Sequence, residues 1–177
     1  MKKIVVTFLL AVLPLVSFGQ SFFEQYEDED GVTSFFATKE TFKLLKSIDA
    51  DPQDQETKEF FKMIESLEAV KMISTDRKDL GAKFKGLAEN HVSKNGLTEL
   101  MRVNDDGKKV KFYVKKGKSD SIVKELFMLV TGVEMDGNKA STIVMSVTGD
   151  INLKHISKLT SKMNIPGGEH LEKKGKE

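Results

Sequence analysis

The chain contains no cysteine. That excludes disulfides, thiolate metal sites, cysteine nucleophiles and c-type haem attachment together. It also removes the acylated cysteine that a bacterial lipoprotein carries at its cleavage point. An exported domain without disulfides has to stand on its hydrophobic core. Long apolar runs are scarce as well. The first, Ile4 to Val16, is interrupted by Pro14 and falls short of the about 20 apolar residues that a spanning helix needs. The longest later run is Leu126-Phe127-Met128-Leu129-Val130, the length of a buried strand. No transmembrane anchor is therefore expected in the mature chain. Basic excess is missing too. The formal charge is +1 over 177 residues, and it falls to −1 without Lys2 and Lys3. Nucleic-acid binding draws on a basic surplus, so no nucleic-acid partner is expected.

What is present begins at the N-terminus. Lys2 and Lys3 form a positive leader, Ile4 to Val16 an apolar stretch, and Ser17-Phe18-Gly19 a small-x-small cleavage site. That order predicts a secretory signal peptide over 1–19. A single α+β domain is expected over 20–165, with a charged tail over 166–177. The expected location lies beyond the inner membrane, periplasmic or secreted, and the chain is not expected to be a lipoprotein.

Along the domain, Val32 to Ala37 reads as a first strand. A helix follows from Thr38, with Phe42, Leu45 and Ile48 on one face. Asp51-Pro52 opens a second, carrying Phe60, Met63, Ile64 and Leu67. Ala69 to Ile73 reads as a strand, and Asp76 to about Lys94 as a helix with Leu80, Phe84, Leu87 and His91 inward. Two Asp-Gly pairs then mark hairpins. The turn at Asp106-Gly107 pairs Val103 with Val110 and Met101 with Phe112, and puts Leu100, Arg102, Lys111 and Tyr113 on the other face. The turn at Asp136-Gly137 sets Leu126, Met128 and Val130 against Val147, Met145 and Ile143. Gly149-Asp150 is expected to break the last strand. A final helix from Asn152 would turn Leu153, Ile156, Leu159 and Met163 inward. The class expected is α+β: an antiparallel meander sheet of about four to six strands with helices mainly on one face.

Three stretches carry a resemblance: Glu29-Asp30-Gly31-Val32-Thr33-Ser34, Leu126 to Val130, and Thr148-Gly149-Asp150-Ile151-Asn152-Leu153. With the leader ending in Phe18-Gly19-Gln20, they make the chain similar to an exported Gram-negative bacterial family called domain of unknown function 4252. The similarity runs over roughly Phe22 to Ile165. Many such proteins are lipoproteins, and this sequence departs from them by lacking the cysteine. The resemblance implies location and fold but transfers no site.

Few residues suggest chemistry. His91, His155 and His170 stand apart, with no paired-histidine spacing for a metal. His91 continues an apolar helix stripe and reads as a partly buried core histidine. Asp28, Asp30 and Gly31 match part of a calcium loop, but Tyr26 and Ala37 stand where its first and twelfth ligands belong. No nucleophile elbow, phosphate loop or dinucleotide fingerprint occurs. No catalytic residue, metal or cofactor is expected. Lys108 to Lys118 is more specific, being basic with no acid within it. Strand alternation puts Lys109, Lys111, Tyr113 and Lys115 on one face with Arg102 across, a possible contact for an anion or acidic partner. The bland alternative is a solvated strand whose lysines resist edge aggregation. Phe127, Leu129 and Val144 form a second candidate, an apolar interaction face unless the chain's own helices cover it.

The expected function is a non-enzymatic, partner-binding protein of the cell envelope, its partner a protein, glycan or lipid. A carrier of a small apolar or amphiphilic ligand between sheet and helices is the alternative, suggested by methionines and phenylalanines that could line an adaptable cavity. An envelope hydrolase ranks last.

Overall fold

The computed structural model describes residues 21–48, 55–119, 121–135 and 138–153. The elements in chain order are α1 (Phe22–Gln25), β1 (Thr33–Thr38), α2 (Lys39–Ile48), α3 (Gln55–Glu65), β2 (Leu67–Thr75), α4 (Lys78–Lys94), β3 (Thr98–Asp105), β4 (Lys108–Ser119), β5 (Ile122–Met135) and β6 (Asn138–Asn152). The strands form one six-stranded sheet in the order β1-β2-β6-β5-β4-β3, and every neighbouring pair is antiparallel. The expected α+β class and antiparallel meander are present, but helices cover both faces of the sheet rather than mainly one. The expected final helix, the Asp136-Gly137 turn, His155 and His170 lie outside the described residues.

Local chemistry sets the registers. Asp106 and Gly107 both carry positive φ, 41° and 82°, as a two-residue type I′ turn requires. That turn fixes Val103 opposite Val110 and Met101 opposite Phe112. In the next hairpin Leu126, Met128 and Val130 oppose Val147, Met145 and Ile143. Some details differ from the sequence reading: Leu67, read with the second helix, opens β2 instead, and the later strands depart from it at two points. An irregularity between Glu99 and Met101 turns Leu100 to the opposite face, where it packs with Met101 and Val103. The last strand also runs through Gly149 and Asp150 to Asn152 instead of breaking there. Gly149 is a point of close approach: a Cβ on it would lie 2.3 Å from the Ser66 carbonyl oxygen, at φ 143°. The Asp150 N–H donates to that same oxygen at 2.9 Å. The glycine thus admits the chain entering β2 rather than ending β6.

Each side of the sheet is apolar. On one side the registers align a single row across all six strands: Phe35, Met72, Met145, Met128, Phe112 and Met101. Flanking it are Ala37, Val70, Val147, Leu126 and Val114 on one flank and Ile143, Val130, Val110 and Val103 on the other. Phe42 of α2 and Met63 and Ile64 of α3 join this core. On the other side α4 lays Phe84 and Ala88 over Ile73, Val144, Phe127 and Leu129. The aromatic lead-in completes that layer. Phe23 is buried and stacks on Phe22 at 4.3 Å between centroids, and Tyr26 meets Phe84 edge-on at 5.3 Å. Glu24 pins α1 in place. Its carboxylate accepts from the Ser21 N–H at 3.0 Å and from Lys71 of β2 at 2.7 Å. The Lys71 ammonium holds the Glu24 carboxyl below its ordinary range.

Candidate functional site

The structure places both sequence-derived candidates on the α4 side of the sheet. Lys111 pairs with Arg102 on one strand and with Leu129 on the other, and Tyr113 with Glu99 and Phe127. Arg102, Lys109, Lys111, Tyr113 and Lys115 therefore share a face, as strand alternation requires. Two of the five are committed within the fold, Arg102 to an ion pair and Tyr113 to the core. Arg102 donates to both carboxylate oxygens of Glu99, at 3.1 and 2.7 Å. Its guanidinium draws the Glu99 carboxyl below its ordinary range. Tyr113 is buried in the core beside Phe127, and that burial raises its hydroxyl pKa. Lys109 and Lys115 remain exposed. Phe127, Leu129 and Val144 are internal. Phe127 and Val144 have 0% exposure beneath α4 and α1, so this apolar face is closed by the chain's own helices.

A polar cluster sits at the margin of that layer. His91 of α4 contacts Glu125 of β5, Nε2 to Oε1 at 2.8 Å, and Ser146 of β6 donates to the same oxygen at 2.7 Å. The imidazole stacks on Phe127 at 4.8 Å and meets Phe22 at 5.9 Å. The Asn95 side-chain amide donates to the His91 carbonyl at 2.9 Å, and its nitrogen lies 3.2 Å from Nδ1. Nε2 thus faces the Glu125 carboxylate while Nδ1 faces the Asn95 amide. Burial alone would raise the Glu125 carboxyl. The hydrogen bonds from His91 and Ser146, with the charges of His91 and Lys115, outweigh it and leave the carboxyl below its ordinary range. The residue types are those of a hydrolytic triad, but the order is not. A nucleophilic serine must give its proton to an imidazole. Here Ser146 donates its hydrogen bond to the carboxylate, on the same oxygen that the imidazole contacts. The contact from His91 to Glu125 ties α4 to β5.

The exposed apolar chemistry lies elsewhere. Among the described residues four large hydrophobic side chains are exposed: Phe35 (52%), Leu44 (64%), Leu45 (44%) and Phe60 (41%). They come from β1, α2 and α3, three elements that follow one another in the chain. A groove of about 400 Å³ lies in the same corner, lined by Lys39, Phe42, Lys43, Lys46, Ile64, Glu65 and Leu67. Phe42, Ile64 and Leu67 are core residues, so they supply an apolar floor. Lys46 pairs with Glu65 across the groove, and Lys43 with Glu40 at 2.7 Å. Sequence reasoning placed Phe42 and Ile64 inward, but it put Leu45 and Phe60 on the same apolar faces, and the structure leaves both exposed. The signal of the corner is Leu44 beside Leu45 on a short lysine-rich helix, one more apolar position than burial against a sheet consumes.

Among the described residues no group of acidic residues and histidines could hold a metal ion, and no helix is long and apolar enough to cross a membrane. A family model described as domain of unknown function (DUF4252) matches residues 26–159. No curated protein and no solved structure matches the chain.

Proposed function

The chain belongs to the DUF4252 family, and we propose that it is exported across the inner membrane and acts there as a non-enzymatic binding protein, its partner seated on the β1–α2–α3 corner. The observation that carries this reading is that Phe35, Leu44, Leu45 and Phe60, the exposed large hydrophobic side chains among the described residues, come from three consecutive elements, two of which, α2 and α3, also line a groove with an apolar floor. Exposed apolar side chains scattered singly mean little, whereas grouped ones mark contact surfaces. The N-terminal leader supports export, and the order of Ser146, Glu125 and His91 argues against that cluster as a nucleophilic centre. The partner chemistry is an apolar or amphiphilic surface fringed by negative charge, to suit the lysines of α2.

Site-specific photocrosslinking tests the reading. A benzophenone side chain at Leu44, Leu45 or Phe60 should give a discrete adduct in living cells, and one at Lys85 on α4 should not. No adduct from any of the three corner positions, or an equal adduct from Lys85, would overturn it.

A further inference from the structure

The groove has a chemistry of its own. Lys39, Lys43 and Lys46 recur at helical spacing, so they form one stripe along α2. All three line the groove, against one acidic residue, Glu65. Lys46 is committed to Glu65, and Lys43 shares its charge with Glu40 at an exposed position. Lys39 makes no ion pair among the described residues. The wall therefore carries surplus positive charge at its Lys39–Lys43 end. Beneath it, Phe42, Ile64 and Leu67 offer aromatic and aliphatic carbon. A volume of about 400 Å³ lies within the range of small-molecule sites. A wholly apolar ligand would leave the lysines unused, and a polyanion would leave the floor unused.

We propose that this groove binds a single-chain amphiphile with an anionic head, its acyl chain lying over Phe42, Ile64 and Leu67 and its carboxylate or phosphate meeting Lys39 and Lys43. The proposal rests on the reading of this corner as the binding surface and adds the ligand's charge, chain number and orientation. The chain supplies affinity by leaving water, at about 0.8 kcal/mol for each buried methylene. The head supplies selection, because a cationic head in the same place would meet the lysine stripe with like charge.

The test uses the purified protein and three probes below their micellar concentrations: dodecanoate, dodecyl phosphate and dodecyltrimethylammonium. Calorimetric titration should show one equivalent of each anion bound, and the cation at least about tenfold weaker. The Lys39→Glu/Lys43→Glu double variant should bind both anions at least about tenfold more weakly while keeping its circular dichroism and melting temperature. Lys83→Glu/Lys85→Glu on α4 makes the same change in net charge and should leave binding unaltered. Equal affinity for anion and cation would overturn the proposal, as would undiminished binding by the Lys39/Lys43 variant. Binding to phosphatidylglycerol vesicles with none to the monomeric probes would also overturn it, by assigning the groove to a membrane surface. If no amphiphile binds while the Leu44 crosslink persists, the proposal falls and the binding corner stands. If both fail, the corner falls with it.

Discussion

Replacing His91 with alanine removes one of the two groups hydrogen-bonded to a carboxylate inside the fold. Glu125 is 10% exposed and His91 23% at their side chains, so neither partner is well solvated. A hydrogen bond to a charged group contributes about 1.5–3 kcal/mol. Loss of the ring's packing on Phe127 and Phe22 adds about 0.5–1.5 kcal/mol. Ser146 stays bonded to Glu125 and water can enter the vacated space, which offsets part of the loss. The net expectation is roughly 2–4 kcal/mol at neutral pH. For a chain of this size each kilocalorie moves the melting temperature by about 2–4 °C. The pH dependence carries a sign. In the wild type the Glu125 carboxyl is depressed in the fold, so its stabilisation is present above the ordinary carboxyl range and lost as pH falls through the depressed value. Without His91 the largest remaining influence is burial, which raises the carboxyl and penalises its charged form. Acid then relieves the variant while it weakens the wild type. Urea unfolding followed by circular dichroism at neutral pH and near pH 4 should show the gap between the two proteins narrowing in acid. A cost below about 0.5 kcal/mol at neutral pH, or a gap that acid leaves unchanged, would refute the reasoning.

Gly149→Ala should destabilise by at least about 1–3 kcal/mol, read as a lower urea midpoint, because the new Cβ would collide with the Ser66 carbonyl at a φ that L-residues avoid. Met128→Leu and Met145→Leu should each cost less than about 1.5 kcal/mol, since volume and polarity are nearly kept; a larger loss would mean that the methionine row is a tightly specified core. Leu44→Ser/Leu45→Ser should change stability by no more than about 0.5 kcal/mol per site, since both are exposed, while abolishing the crosslink from Phe60. Deleting residues 1–19 should leave the protein in the cytoplasm on cell fractionation, and export of the truncated chain would count against the leader.

The legible parts of this fold are those in which short-range chemistry sets long-range geometry. Asp106-Gly107 determines the partners of Met101 and Val103 because its two positive φ values fit one hairpin register. The β2–β6 pairing had no such signal. Val70 and Val147 are ordinary strand residues, and nothing nearby tells either about the other. Leu100 was read onto the wrong face because one irregularity reverses alternation beyond it. Gly149 looked like a stop because a glycine that admits a passing backbone is spelt the same as one that ends a strand. The Glu125 cluster had a faint signal, a lone acid at an inward position of an apolar strand. Without its partners on α4 and β6, it could not be told from a surface charge. The binding corner was hidden for a similar reason. Periodicity shows which residues a helix could bury, but not which of them the tertiary structure leaves outside.

The position of β6 also bears on how the chain acquires its shape. It joins the β1–β2 pair to the β3–β4–β5 pairs, yet it is the last described strand to be synthesised. Thr75 has to wait for Thr142, and Leu67 for Gly149, before either finds its neighbour. Contacts so distant in sequence close slowly. Until residues 138–152 emerge, β2 and β5 have no strand to bridge them, and the row from Phe35 to Met101 stays in two pieces. For a chain that crosses a membrane N-terminus first, as proposed, the two parts of the sheet could not join on the far side until the last described strand had followed them through.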